Sequence, residues 1–508
     1  MLSKVLSGAN IGLDAVVITC EIDIAMQGLP SFTIVGLGDR AIEESKERVR
    51  AALRNSGAEF PQHKITVNLA PADLPKMGPI FDLPIALGLL LASGQINLEK
   101  INLDKTLVAG ELSLDGQLRK SPGILPLAIL AKELGLENII VPKENGKEAA
   151  IIDGIKVFAP NNLQEIVQAM LGQKELIPLE KEAFSLEDDL IYEYDFSQIK
   201  GQESAKRALE IAASGGHNVL LKGPPGTGKT MLARAFPSIL PPLNFNEAIE
   251  VTKIFSITNQ LDSNKSLITK RPFRAPHHSA SHIGLIGGGN NIKPGDISLA
   301  HRGVLFLDEV AEFPRLVLES LRQPLEDHKI TISRSSGSLT FPAQFILIAA
   351  QNPCPCGFLG DKKRSCTCMP GQIAKYKRRI SGPFLDRIDI YLEVPSVDID
   401  KLSSDIEVED SKTIRDRVTK ARKLQSDRFK GRILTNSEMS NTEIKQFCTI
   451  TEDGLELLKM AISSLNLSAR GYHRVLKLSR TIADLANSEQ ILSEHIAEGL
   501  QYRAREDS

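Results

Sequence analysis

The chain has 508 residues, 42% hydrophobic and 24% charged, with a formal net charge of −2. That near-neutral balance excludes a chain drawn to nucleic acid or membrane by bulk charge, so any polyanion site must be a local patch. The length predicts about three domains, each able to bury its own core. No apolar run reaches the roughly 18 residues of a spanning helix, and residues 1–8 lack the apolar core of a secretion signal. Four of the six cysteines crowd between Cys354 and Cys368, while Cys20 and Cys448 stand alone. That spacing is no disulfide framework, and it points to a reducing, cytoplasmic setting.

Residues 1–172 mix short strands and helices. Residues 16–23 and 64–69 are rich in β-branched side chains and predict strands. Residues 40–55 carry apolar side chains at helical spacing and stop before Gly57. A second helix is predicted over 121–134 and a strand over 138–141. The stretches 75–79 (PKMGP), 110–117 (GELSLDGQ) and 139–145 (IIVPKEN) resemble the proteolytic domain of Lon-type proteases, an α+β fold of the S5-like kind. The resemblance puts the protease's serine at Ile80 and its lysine near Leu125. Neither aliphatic side chain can attack a carbonyl or carry a proton, so the segment is expected to be a scaffold or interaction module rather than a peptidase. Residues 173–196, with the acidic run at 185–189, read as a linker.

The pattern G-x-x-x-x-G-K-[ST] follows, filled by Gly223, Pro224, Pro225, Gly226, Thr227, Gly228, Lys229 and Thr230. A short apolar run precedes it and a helical pattern follows, which is the setting of a phosphate loop. Its glycines let backbone N–H groups turn towards phosphate oxygens, Lys229 supplies a full positive charge, and Thr230 a hydroxyl for Mg²⁺. Residues 304–307 predict a buried strand ending in Asp308, to support Mg²⁺, and Glu309, to polarise the attacking water. A third strand, 345–350, ends near Asn352, whose amide can orient that water. Within 380–389 (ISGPFLDRID) Arg387 follows a short helix, where an arginine taken alone is more often a surface salt-bridge residue.

In this order the motifs resemble the AAA+ ATPases. The stretches 271–281 (RPFRAPHHSAS), 293–303 (KPGDISLAHRG), 352–357 (NPCPCG) and 385–389 (LDRID) narrow the match to the ComM/YifB magnesium-chelatase-like family. The resemblance implies a multidomain α/β chain: the Lon-like front domain, an AAA+ P-loop core over 197–396, and an α-helical lid over 397–508. It makes Lys229 and Thr230 the Walker A contacts, Asp308 and Glu309 Walker B, and Asn352 the first sensor. It makes Arg387 an arginine finger acting on a neighbouring subunit's nucleotide, which implies a hexameric ring. Within 467–474 (LSARGYHR) it favours Arg470 as second sensor, with Arg474 in reserve.

Cys354, Cys356, Cys366 and Cys368 supply four thiols that can close a tetrahedral Zn²⁺ site, with Lys362, Lys363 and Arg364 nearby; the alternative is unliganded thiols in a loop. His277, His278 and His282 lie in a Gly/Ser-rich insert, read as a substrate- or subunit-contacting loop in preference to a metal site. Residues 330–341 predict a hairpin carrying Arg334, a candidate phosphate contact or an ordinary turn arginine. Residues 411–436 hold nine Lys/Arg against two Asp, a local +7, and a shorter basic run, KYKRR, spans 375–379. Either can be a phosphate-binding face or a solvated helix face. The resemblance implies an ATP-driven motor on branched or single-stranded DNA, a branch-migration helicase of recombination and natural transformation. The alternative is a protein-remodelling ATPase like the magnesium-chelatase motor subunit.

Overall fold

The computed structural model of the chain describes residues 1–503 except 37, 97–101, 181–191, 290, 335–336, 362–363, 397–407, 432–434 and 465–467. The acidic run at 185–189, the hairpin tip at 335–336, Lys362, Lys363, Leu467 and the boundary expected at 397 lie outside the described residues. Among the described residues no helix is long and apolar enough to cross a membrane. The chain forms two units, Met1–Ser185 with Phe245–Ile268, and Leu186–Asn244 with Thr269–Ser508.

The first unit is built on a seven-stranded mixed sheet. Its order is Ser31–Val35, Lys64–Ala70, Asp14–Ala25, Leu2–Ile11, Thr106–Val108, Asn138–Ile140, Lys156–Phe158. In Asp14–Ala25 the residues Ile18, Cys20, Ile22 and Ile24 are buried at a period of two, the alternation expected of a strand with one covered face. The helix Asp82–Ala92 is apolar on nearly all sides and correspondingly buried. It lies so close to the sheet that a side chain at Gly88 would come 2.2 Å from Ile22 Cδ1. The helix Arg40–Asn55 matches its predicted bounds and starts where Asp39 accepts from the Ile42 N–H. Its Arg48 grips the buried Asp82 carboxylate through two bonds of 2.7 and 3.1 Å. The predicted helix at 121–134 forms over Ile124–Glu133, because Gly123 adopts a left-handed conformation at its start. Ile80 and Leu125 are both buried.

Phe245–Ile268 belongs with this unit, although it falls inside the expected ATPase core span. The helix Phe245–Ile257 is tied in by Gly123 N–H donating to Ser256 O at 3.1 Å and by a Lys253–Asp14 ion pair at 3.1 Å.

The second unit centres on a five-stranded sheet in which every neighbouring pair is parallel. The order is Phe273–Arg274, Val304–Leu307, Ile346–Gln351, Val219–Lys222, Ile390–Glu393. All residues of Val304–Leu307 and Ile346–Gln351 are buried, as the unbroken apolar runs predict for strands covered on both faces. The C-terminal region is helical: Ser411–Phe429, Asn441–Phe447, Glu452–Ser464, Ala469–Leu485 and Ser493–Gln501. Ile414, Val418, Leu478 and Ile482 of those helices pack into the same core as Val219 and Leu221 of the sheet. The helices also hold a buried polar knot, in which Asp484 accepts from Arg428, Arg480 and Asn436.

Candidate nucleotide-hydrolysis site

Parallel strands present all their C-terminal tips on one edge, where α/β sheets carry their ligands. Lys222 pairs with Gln351, and Leu307 with Ala349, so the segments following three strands emerge together. Those segments carry Gly223–Thr230, Asp308 with Glu309, and Asn352.

Gly223 begins the loop with its N–H on Gln351 O at 3.2 Å, and a side chain there would strike Val394 O at 2.2 Å. Gly226 and Gly228 have φ of +76° and +87° with open space around them, so conformation rather than room calls for glycine. Thr227 Oγ1 braces the loop from inside by donating to Pro224 O at 3.0 Å.

Lys229 Nζ donates to Gly223 O and Pro224 O, both at 2.8 Å, and to Asn352 Oδ1 at 3.3 Å. Burial pushes its pKa down, against the opposing pull of Asp308 and Glu309. An entering phosphate would find an ammonium already held at the loop. Thr230 Oγ1 donates to Asp308 Oδ2 at 2.9 Å, which brings the hydroxyl and carboxylate expected around Mg²⁺ side by side. Asp308 Oδ1 accepts from the Glu309 N–H at 3.0 Å. Glu309 has φ of +50°, a left-handed conformation that costs a non-glycine residue on the order of 1–3 kcal/mol and is typical of functional sites.

The three arginines gather elsewhere in the unit. Arg387 ion-pairs with Glu326 and donates to Pro383 O at 2.5 Å, while its Nε has no hydrogen-bond partner among the described residues. Arg470 and Arg474 each reach Asp386, the neighbour of Arg387, at 3.5 Å, and Arg474 also donates to Ile388 O at 2.7 Å. Asp386, Arg387, Arg470 and Arg474 line one cavity of about 350 Å³. The expected sensor arginines thus join the expected finger. Glu326, which nothing in the sequence singled out, is the carboxylate that pairs with Arg387.

The four cysteines converge, all Sγ atoms lying within 4.8 Å of one another and none in a disulfide. Backbone N–H groups, that of Phe358 first and then that of Thr367, hold the Cys356 thiol down to about 5. Among the described residues this quartet is the only His/Cys/Asp/Glu group close enough to hold a metal. The His277 and His278 rings instead lie against each other, tilted, with centroids 4.0 Å apart.

The predicted hairpin forms from Lys329–Arg334 and Gly337–Pro342. Its Ile332 lies against Gly287, and the Arg334 guanidinium lies 3.1 Å from where a side chain on Gly288 would begin, so the hairpin meets the Gly-rich insert. Much of the charge in 411–436 is used internally. Arg415 donates to Ser238 O, Arg417 pairs with Glu210 and Glu409, Arg422 donates to Ala213 O, and Arg428 pairs with Asp484.

Comparison with known proteins agrees with this geometry along nearly the whole chain. Three family models match it: "Subunit ChlI of Mg-chelatase" over residues 20–145, "Magnesium chelatase, subunit ChlI" over 195–402, and its C-terminal part over 408–503. Competence protein ComM of Haemophilus influenzae is 45% identical, the match spanning 99% of this chain and 97% of that protein. The protein YifB of Escherichia coli is 44% identical over the same shares. Lon protease 2 of Bacillus subtilis is similar only locally, 32% identical over 28% of this chain and 25% of its own length. A phosphate loop and acidic strand tip on a parallel sheet, followed by helices and matched end to end by these relatives, place the chain in the ComM/YifB family of magnesium-chelatase-like AAA+ proteins.

Proposed function

We propose that the chain is the subunit of an ATP-hydrolysing ring, a hexamer in its working form, that moves along DNA and drives branch migration in recombination and natural transformation. The Thr230–Asp308 pair carries the hydrolysis reading: with Lys229 on the loop it supplies phosphate and Mg²⁺ contacts, while Glu309 polarises water and Asn352 orients it. Arg387 acts on the nucleotide of the next subunit. Its place beside Asp386, shared with Arg470 and Arg474, supports treating the three arginines as one charged unit offered to a neighbour. The DNA reading rests on the name of the Haemophilus relative and on the meeting of Arg334 with the turn at Gly287 and Gly288. Branch migration exchanges base pairs of similar stability, about 1.4 kcal/mol of stacking per step, so hydrolysis mainly supplies direction. The four cysteines hold a structural Zn²⁺.

One observation favours a protein-remodelling ATPase instead. Arg415, Arg417, Arg422 and Arg428 are engaged within the chain, which removes much of one basic face from contact with phosphates. ATPase activity with and without forked or four-way DNA, at two salt concentrations, decides between them. Stimulation that weakens with salt supports the DNA motor; activity indifferent to DNA, with no salt-dependent binding, supports remodelling.

A further inference from the structure

We infer that the four-cysteine cluster is a metal-held strut that sets the position of the phosphate loop and of Asn352, so that metal occupancy governs ATP turnover. The inference rests on the zinc and nucleotide readings above and adds what the metal does there.

The sulfur geometry points to a metal. Four thiolates at about 2.3 Å from a tetrahedral Zn²⁺ stand roughly 3.8 Å apart, whereas a disulfide requires about 2.05 Å. The observed separations are 3.3 Å for Cys354–Cys356 and 3.6 Å for both Cys354–Cys366 and Cys356–Cys366. They lie near a tetrahedral edge and far from a bond. Two N–H groups are turned onto the sulfurs, Cys356 N–H to Cys368 Sγ and Cys368 N–H to Cys366 Sγ, each at 3.4 Å. Such outer bonds orient thiolates and temper their charge.

The cluster connects to the catalytic residues in two ways. Cys354 is fully buried and lies two residues after Asn352, whose amide touches Lys229 at 3.3 Å. Fixing the Cys354 sulfur therefore fixes the end of the segment that carries Asn352. On the other side, Gly357 turns back with φ of +86° and sits directly on the phosphate loop. A Cβ at Gly357 would stand 2.7 Å from Pro225 Cδ. Only a hydrogen fits there, so the cysteine loop forms one wall of the phosphate loop. Without the metal, four mutually repelling or protonated thiols would have to hold that wall.

Two variants separate the links. Cys366→Ser removes one ligand of the quartet; its zinc content, read by elemental analysis, should fall from one per chain towards zero. Its kcat should fall at least about tenfold, with a smaller change in KM, because Asn352 acts on the attacking water rather than on binding. Gly357→Ala keeps four thiols and full zinc, yet should weaken binding of a fluorescent ATP analogue by pressing on Pro225. Circular dichroism confirms that both variants fold. Zinc-free Cys366→Ser with wild-type kcat and KM, or Gly357→Ala with wild-type nucleotide affinity, overturns the strut. A wild-type protein purified without chelator and free of metal overturns the zinc site itself. Wild-type protein that binds zinc but neither binds nor hydrolyses ATP overturns the nucleotide reading instead.

Discussion

Thr230 Oγ1 and Asp308 Oδ2 share a 2.9 Å hydrogen bond that joins the helix after the phosphate loop to the tip of Val304–Leu307. Thr230 and Asp308 are the residues that would hold a Mg²⁺ ion there, where it would neutralise phosphate charge. Chelating Mg²⁺, or changing Asp308→Asn, should therefore abolish turnover while leaving the fold intact. Glu309→Gln should keep ATP binding and lower kcat by roughly 10²–10⁴-fold, the usual share of a general base. Steady-state hydrolysis beside nucleotide binding checks both; normal turnover in Glu309→Gln would remove Glu309 from the mechanism.

Lys229 gives the site a pH dependence. Burial lowers its pKa, so the free protein loses the ammonium at a lower pH than an exposed lysine would. Nucleotide phosphates favour the charged amine. ATP affinity should be flat while the amine is protonated and should fall as pH rises through the depressed pKa. Lys229→Arg, charged throughout, should flatten that alkaline limb in a titration of nucleotide binding.

Arg387 and the phosphate loop are expected to meet only across a subunit boundary. Lys229→Ala and Arg387→Ala should each be inactive alone. Mixed before assembly, they should regain a measurable fraction of activity, because an intact loop then faces an intact arginine. A mixture as dead as its components would place Arg387 in its own subunit's site.

Asp484 neutralises two guanidinium groups inside the helical region. Asp484→Ala strands both and should cost about 3–5 kcal/mol, the range for breaking a buried pair from one side. Thermal melting of the full chain reads this directly. Replacing Asp484 by Asn keeps part of the hydrogen bonding and should cost less.

In the first unit, Ile80 is the residue at which the Lon-type resemblance puts the protease's serine. It is 7% exposed and follows Gly78 and Pro79 into a buried turn. Ile80→Ser should create no peptidase and should destabilise by about 2–5 kcal/mol, as large-to-small core changes do. Digestion of an unfolded protein, followed by gel and compared with melting, tests both halves.

The convergence of the candidate site's residues was legible because they sit at strand tips and in one contiguous loop. An apolar run ending in Asp308-Glu309 encodes both the buried strand and its carboxylates, and the glycines of 223–228 encode the turn. The helix Arg40–Asn55 was equally plain, since the apolar spacing and the stop before Gly57 agree. Three features were not legible. The partner Glu326 is one exposed carboxylate among many, and only folding brings it to Arg387. The packing of Gly357 on Pro225 joins segments more than a hundred residues apart through a van der Waals contact, which leaves no periodic signature. The basic stretch 411–436 carried a charge count, and a count cannot distinguish arginines offered to phosphates from arginines spent on Glu210, Asp484 and backbone carbonyls.

The placement of Phe245–Ile268 has a consequence for inheritance. The polypeptide passes between the two units after Ser185, after Asn244 and after Ile268. Cutting the gene after Ser185 would free a front piece in which Gly123 has lost the Ser256 carbonyl and Asp14 has lost Lys253. Neither unit can be exchanged as a cassette by a single crossover. Selection would keep such a chain whole, in keeping with the Haemophilus and Escherichia relatives, whose matches run across 99% of it.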